Sequence, residues 1–475
     1  MLSYDMNERG PLSLYEYLYR CIRDDIVSGR LAPDDRLPSR RKLAEHLGVS
    51  LITVDGAYSQ LVAEGYVVAR PRRGYYVAKL SLPKERPAQM ARPKALGDRG
   101  AHSEREDRAL LADFSRPSLR AGAPASALWS KALRQALAQE PQDELYAPPE
   151  AQGTRRLRRA IASYLHGARG MDVREENIVV GAGAQLLYGS IALLAGSGST
   201  VALEDPGWPA LSRVYRTHGV SVAPVSLDEE GMSIEGLRQS GATLAHIMPS
   251  HQFPTGKVTS VSRRYDLLSW AAETGRWIVE DDYDWEFRLA GRPIPSLASV
   301  DAAGRVIYVS TFSKSLSSAL RIAFMALPDQ PLEDWREELG FAAATVPTID
   351  QIALARLLES GDYERHVSRY RTQSRMVRDK LLDALAASGL EGRMEAEEAD
   401  SGLHFVLAVE SERSEEELAA RALGKGVKLA PLSRYAAREE SLPKDGRARF
   451  VMQYDGLEED RIGEVARVIG WALER

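Results

Sequence analysis

Five short apolar runs constrain this chain more than any other feature: Ile178–Val180, Val201–Leu203, Thr243–Met248, Trp277–Val279 and Val306–Val309. Each closes on a polar or glycine-bearing turn, and helix-like stretches separate them. Runs this short and this apolar read as strands buried on both faces, which crossover helices must cover. The expectation is an α/β region from about residue 110 to 475 with a mainly parallel sheet. In open α/β sheets ligands sit at the carboxyl ends of the strands, so chemistry is sought just after each run.

The first 80 residues have a different rhythm. Leu14–Ile26 carries Leu14, Tyr17, Leu18, Cys21 and Ile22 at helical spacing. Ser39 reads as the N-cap of a helix over Arg40–Leu47, stopped by Gly48, and Ser50 as the N-cap of a third helix, Ile52–Glu64. Tyr66–Ala69 and Tyr75–Ala78 flank Pro71-Arg72-Arg73-Gly74 and read as a hairpin. Three helices and a hairpin outline a winged helix-turn-helix over residues 1–78. Residues 79–108 hold Pro83, Pro87 and Pro93, many charges and few large apolar side chains, which reads as a flexible linker.

Composition narrows the class. Hydrophobic residues make up 44% and charged residues 27%, ordinary for a globular protein and unlike a collagen or a disordered chain. Apolar stretches such as Ile191–Ala195 are far short of the roughly 20 residues of a membrane span. The opening MLSYDMNERG has no basic and apolar leader pattern, and Cys21 is the single cysteine, so no intramolecular disulfide and no four-cysteine zinc site is expected. A cytoplasmic protein that uses no membrane is expected. Net charge is −5 overall, yet residues 1–80 hold 12 basic and 10 acidic side chains. Within Arg36–Arg73 seven basic residues face three acidic ones, which suits a polyanion site or a solvated surface. The second helix of a helix-turn-helix leads into the major groove with its N-terminal residues, here Ser50, Leu51, Ile52 and Thr53, with Tyr58 further along. Arg40 and Arg41 open the preceding helix, and Arg72 and Arg73 stand at the hairpin tip, where phosphate contacts are expected. Tyr58 is equally suited to packing between helices.

At the strand ends, Lys314 is flanked by Thr311, Ser313 and Ser315, with Arg321 seven residues on. An amine for a Schiff base beside hydroxyls and a guanidinium suits an aldehyde cofactor carrying a phosphate. Asp281 and Tyr283 could serve a pyridinium nitrogen and a phenolic oxygen, or belong to an acidic loop or divalent-metal site. Trp208, on a tight turn, could stack on a flat ring or be buried. Gly183 and Ala184 open a helix whose free amides suit a phosphate. His251 reads as structural.

The motifs VVGAGAQ, EDPGWP, PSHQFPTG, IVEDDYDWEF and VSTFSKSLSSALRIAF resemble those of fold-type I aminotransferases, which bind pyridoxal 5'-phosphate. LPSRRKLAEHLGVSLITVDGAYSQLVAEGYVVARPRRGYYV resembles the GntR-type winged helix. Together the halves resemble the MocR subfamily of bacterial transcription regulators, GabR-like proteins. The resemblance implies a DNA-binding domain over 1–78, the linker, and an aminotransferase-like, effector-sensing and dimerising domain over 109–475 with a small α/β subdomain from about 345.

By that resemblance Lys314 is the Schiff-base lysine, Arg321 and Thr311 hold the phosphate with amides around Gly183 and Ala184, Asp281 pairs with the ring nitrogen, Tyr283 with the phenolic oxygen, and Trp208 stacks. Tyr is usual at the stacking position in the regulators; Trp is more like the true enzymes. Tyr146, in LYAPPEAQG, reaches the partner's cofactor in a head-to-tail homodimer. Arg434, in KLAPLSRY, grips an effector carboxylate, a surface ion pair being its plain alternative. Three residues depart from the pattern: Phe253 replaces the enzymes' Asn, Ala210 replaces a second effector arginine, and Leu51 replaces an Arg of the reading helix. The resemblance implies a regulator that binds an operator in double-stranded DNA and senses pyridoxal phosphate, an amino compound, or both, through an internal and external aldimine. The alternative is a working aminotransferase with a DNA-binding appendage. No metal site and no full catalytic cycle are expected, half-transaminase chemistry remaining open.

Overall fold

The computed structural model describes residues 2–80, 110–116, 124–290 and 294–474. The chain divides into two compact units, Met1–Glu106 and Asp107–Arg475. Most of the 79–108 linker lies outside the described residues.

The first unit builds α1 (Leu14–Val27), α2 (Arg40–Leu47), α3 (Leu51–Ala63) and a hairpin of β1 (Val67–Arg70) with β2 (Gly74–Val77). Capping sets the helix starts. Ser13 and Glu16 form a reciprocal capping box, Ser39 accepts from Lys42 N, and Ser50 accepts from Thr53 N. Gly48 closes α2 in the left-handed conformation. Leu18, Ile22, Leu43, Val54, Leu61 and Val77 meet in one core. Tyr58 belongs to that core. It is fully buried, its ring lies edge-on to Tyr75 at 4.9 Å, and its hydroxyl donates to Pro38 O at 3.0 Å. The reading of Tyr58 as a DNA contact is therefore corrected: its ring and its hydroxyl are both spent inside the fold.

The second unit is built on an eight-stranded sheet. After β3 (Ala112–Asp113), its strands are β4 (Ile178–Gly181), β5 (Thr200–Asp205), β6 (Ser221–Asp228), β7 (Gly231–Met232), β8 (Leu244–Ile247), β9 (Trp277–Asp281), β10 (Val306–Thr311) and β11 (Ala323–Ala326). The spatial order is β4-β11-β10-β9-β8-β5-β6-β7. The central strands β10, β9, β8, β5 and β6 run parallel; β11 and β7 pair antiparallel. Alternate residues serve opposite faces: Ile278 packs with Trp270 and Leu267 of the helix Val261–Thr274, while Val279 packs with Leu187 and Ile191 of the helix Ala184–Ala195.

A smaller antiparallel sheet joins β12 (Met394–Glu397), β13 (His404–Glu410) and, after β14 (Val427–Lys428), β15 (Arg447–Gln453). Its core takes Val377, Leu381 and Leu385 from the far end of the helix Asp362–Leu385, whereas Leu354, Leu358 and Tyr363 share the large-sheet core. That one helix therefore serves both cores. The small core also takes Phe114, because β3 pairs in parallel with β14. Among the described residues no helix is long and apolar enough to cross a membrane.

Candidate functional site

The carboxyl ends of β5, β9 and β10 open on a cavity of about 520 Å³. Its lining gathers residues that are far apart in the chain: Ala184, Trp208, Asp281, Tyr283, Thr311, Lys314 and Arg321, with Tyr188, Met248 and Phe253. Asp281 and Thr311 are the last residues of their strands, so the extended backbone fixes where they point.

The acidic run Glu280–Asp284 divides its work by alternation. Glu280 turns away and accepts from Leu297 N at 2.8 Å and Ala298 N at 2.9 Å. Asp282 pairs with buried Arg169 and accepts from Tyr308 Oη at 2.9 Å. Asp284 faces His251, whose Nδ1 lies 2.7 Å from Asp284 Oδ2. Asp281 lines the cavity. Its Oδ2 accepts from Tyr188 Oη at 2.5 Å, while buried Oδ1 has no hydrogen-bond partner among the described residues. A buried carboxylate oxygen left open in this way fits a donor that enters with a ligand.

Tyr283 carries its hydroxyl 3.3 Å from His251 Nδ1. Burial, with Asp284 and Asp281 close by, holds its phenol well above the ordinary value, so it stays a neutral O–H. Lys314 Nζ lies 5.8 Å from the Tyr283 ring centroid, and no carboxylate among the described residues comes within 4.0 Å of it. Arg321 holds its backbone at φ 51°, and its guanidinium crosses the backbone of Gly183. A Cβ on Gly183 would meet Arg321 Nη2 at 2.3 Å, so only glycine admits that crossing. Trp208 precedes Pro209 at the start of the helix Pro209–Thr217 and meets Tyr188 edge-on at 6.5 Å.

Two expected residues lie elsewhere. Tyr146 is 80% exposed and lines none of this cavity. Arg434 lines an adjoining cavity of about 370 Å³, on a turn tied to the end of β5 where Gly207 N donates to Tyr435 O at 3.0 Å. Tyr188 and Arg169 were missed by sequence reasoning, since their partners Asp281 and Asp282 are 93 and 113 positions away. His251, Asp284 and His404 bring possible ligand atoms within 4.8 Å of one another. Of these, His251 Nδ1 is engaged by Asp284 and His404 Nε2 lies 3.2 Å from Pro254 O, while His251 Nε2 has no hydrogen-bond partner among the described residues.

In the first unit Arg41, Arg72 and Arg73 are exposed, with Arg72 at φ 62° on the hairpin tip. Arg40 is pinned to Asp55 on α3. At the start of α3, Ser50 Oγ and Thr53 Oγ1 lie 2.8 Å apart, Leu51 is half exposed and Ile52 is 83% exposed. A branched apolar side chain left that open is not serving the core.

Residues 14–77 match the family described as bacterial regulatory proteins of the gntR family, and residues 119–459 match aminotransferase class I and II. The probable rhizopine catabolism regulatory protein MocR of Rhizobium meliloti is 31% identical over 91% of this chain and 89% of its own. The chain belongs to the MocR subfamily of GntR-type transcription regulators. The uncharacterized HTH-type transcriptional regulator YdeL of Bacillus subtilis is 34% identical over 90% of this chain and 91% of its own. Among solved structures, the multiple substrate aminotransferase of Thermococcus profundus shares the fold with a TM-score of 0.67 at 23% identity, covering 78% of this chain and 92% of that one. For a MocR-type chain the division of labour follows: the winged helix is the DNA-binding head of a transcription regulator, and the aminotransferase fold is its second domain.

Proposed function

We propose that this regulator holds pyridoxal phosphate in the Lys314 cavity and reads an amino compound there. The observation that carries the reading is Asp281 Oδ1, a buried carboxylate oxygen without a partner in a cavity that also holds an unpaired lysine. When bound, the cofactor supplies an aldehyde that condenses with amines. Lys314 is the amine placed to hold it. Asp281 would accept from the ring nitrogen, kept in place by the Tyr188 hydroxyl. Tyr283, kept neutral, would donate to the phenolic oxygen. Trp208 would cover one face of the ring. Arg321, Thr311 and the amides at Gly183 and Ala184 would bind the phosphate. Arg434, in the adjoining cavity, would take an acid group of the amine.

Exposed Tyr146 supports a head-to-tail homodimer in which each chain offers this ring to its partner's site. Two heads would then meet two half-sites of an operator, Arg41, Arg72 and Arg73 on phosphates and Ser50–Thr53 on base edges, with Arg40 turned in part to Asp55. A stable monomer in light scattering at micromolar concentration overturns the dimer.

Purified protein should absorb in the visible and carry a borohydride-fixable label that Lys314→Ala removes. A label that persists on another lysine defeats the assignment. The retained set of Lys314, Asp281 and Tyr283 favours one second reading, a working aminotransferase. Single-turnover spectroscopy separates the two: a regulator binds the amine and stops, whereas an enzyme passes its amino group on to a keto acid and returns.

A further inference from the structure

We propose that the cavity beside the Lys314 pocket is an anion subsite built by Arg213, Arg216 and Arg434, and that it selects amino compounds carrying two anionic groups. The inference rests on the amine-reading function above and names its substrate class. The two cavities share a wall of Trp208, Phe253 and Tyr435, and Arg213 lines both. A compound held by its amine at Lys314 can therefore extend past Trp208 into the second space.

The charge of that space is one-sided. Arg213 and Arg216 stand three apart on the helix Pro209–Thr217, so they share a face and repel each other. Among the described residues no carboxylate lies within 4.0 Å of either, or of Arg434. Two acids line the cavity, and neither balances them. Asp205 is already committed to Arg438 Nε at 3.3 Å, Ala437 N at 2.7 Å and Ser441 Oγ at 2.7 Å.

Glu204 is the second observation. It is nine-tenths buried on the cavity lining, and its Oε2 accepts from Met248 N at 3.0 Å while Oε1 has no hydrogen-bond partner. Neighbouring Gln252 donates to Pro206 O at 2.9 Å and Phe253 O at 2.7 Å, its oxygen accepts from Thr255, and its side chain also acts on the Glu204 carboxyl. Burial pushes the Glu204 carboxyl up to about 8, against the hydrogen bonds from Met248 and Gln252 that favour its ionised form, so near neutral pH the protonated form is favoured. Three guanidiniums and a neutral O–H donor suit oxyanions. A single acid group would answer one arginine and leave two; a second acid group answers another and so adds to the binding.

The test titrates full-length protein loaded with pyridoxal phosphate with L-alanine, L-aspartate, L-glutamate and L-2-aminoadipate, reading the cofactor's absorbance and tryptophan fluorescence. The expected result is at least ten-fold tighter binding of a dicarboxylic amine than of alanine. Arg213→Gln with Arg216→Gln should cut that ratio ten-fold or more; both side chains are exposed, and either single variant, with its thermal midpoint checked, gives the same reading at smaller size. Equal affinities for alanine and all three dicarboxylic amines, or a ratio untouched by the variants, overturns the subsite while leaving amine reading intact. No response to any amine, alanine included, overturns both.

Discussion

The two units spend their charged side chains in opposite ways. In the head, Arg41, Arg72 and Arg73 sit on the surface, and the core of Leu18, Leu43, Val54 and Tyr58 owes them nothing. In the aminotransferase-like unit the working strand end is threaded through the core: Glu280, Asp281, Asp282 and Asp284 are all buried, and each is tied to a different element. The lesson is that the head's proposed DNA contacts can be altered at little structural expense, while the second unit's candidate site cannot be separated from its stability.

The sharpest test is Arg169→Ala. It leaves Asp282 buried without its cation, and breaking such a pair typically destabilises by about 3–5 kcal/mol. Denaturant unfolding of the second unit should show that loss. A change under about 1 kcal/mol, within ordinary surface behaviour, would erase the contrast.

Acid groups sharpen the contrast through pH. Burial raises Glu204 to about 8 and Glu286 to about 7, the latter despite donation from Tyr164 and Tyr363. A carboxyl raised above its unfolded value stabilises fully below the unfolded pKa and loses that contribution as pH rises through the folded one. Stability of the second unit should therefore decline between about pH 5 and pH 8, and Glu204→Gln should flatten the upper part of the decline. Calorimetric midpoints across that window decide it.

Tyr58→Phe removes the hydroxyl that reaches Pro38 O, a loss of about 1 kcal/mol, and should leave operator preference as it was. A changed preference with unchanged stability would return Tyr58 to the DNA face. Arg72→Ala with Arg73→Ala should move stability least, by about 0.5 kcal/mol or less. The same pair should lower the slope of log affinity against log salt by up to about two units. An unchanged slope would take the hairpin tip out of DNA binding.

Much of this was legible because the chemistry sits where periodicity changes. Lys314, Asp281, Trp208 and Gly183 each stand at or just beyond a strand, so reading strand ends was enough to nominate them. Tyr58 was only half legible: its place on the reading helix suited DNA and packing alike, and its burial beside Val54, Ala57 and Leu61 decides for the core. Other features were not local. Arg434 was named from its motif, but its place beside the second cavity depends on a turn bonded to β5. The boundary of the small core was hidden because one continuous helix, Asp362–Leu385, serves both cores with no break in its pattern.

The pairing of β3 with β14 has a mechanical meaning. Leu111 N donates to Gly426 O at 2.8 Å and Phe114 N to Lys428 O at 2.9 Å, so the first described residues after the linker are stitched to the small sheet's core. Any displacement of β14 therefore carries β3 with it, and with β3 the Phe114 ring seated in that core. The turn bearing Arg434 is bridged to the same sheet where Pro431 meets Phe450, so the strand that opens this unit and the Arg434 turn share one support.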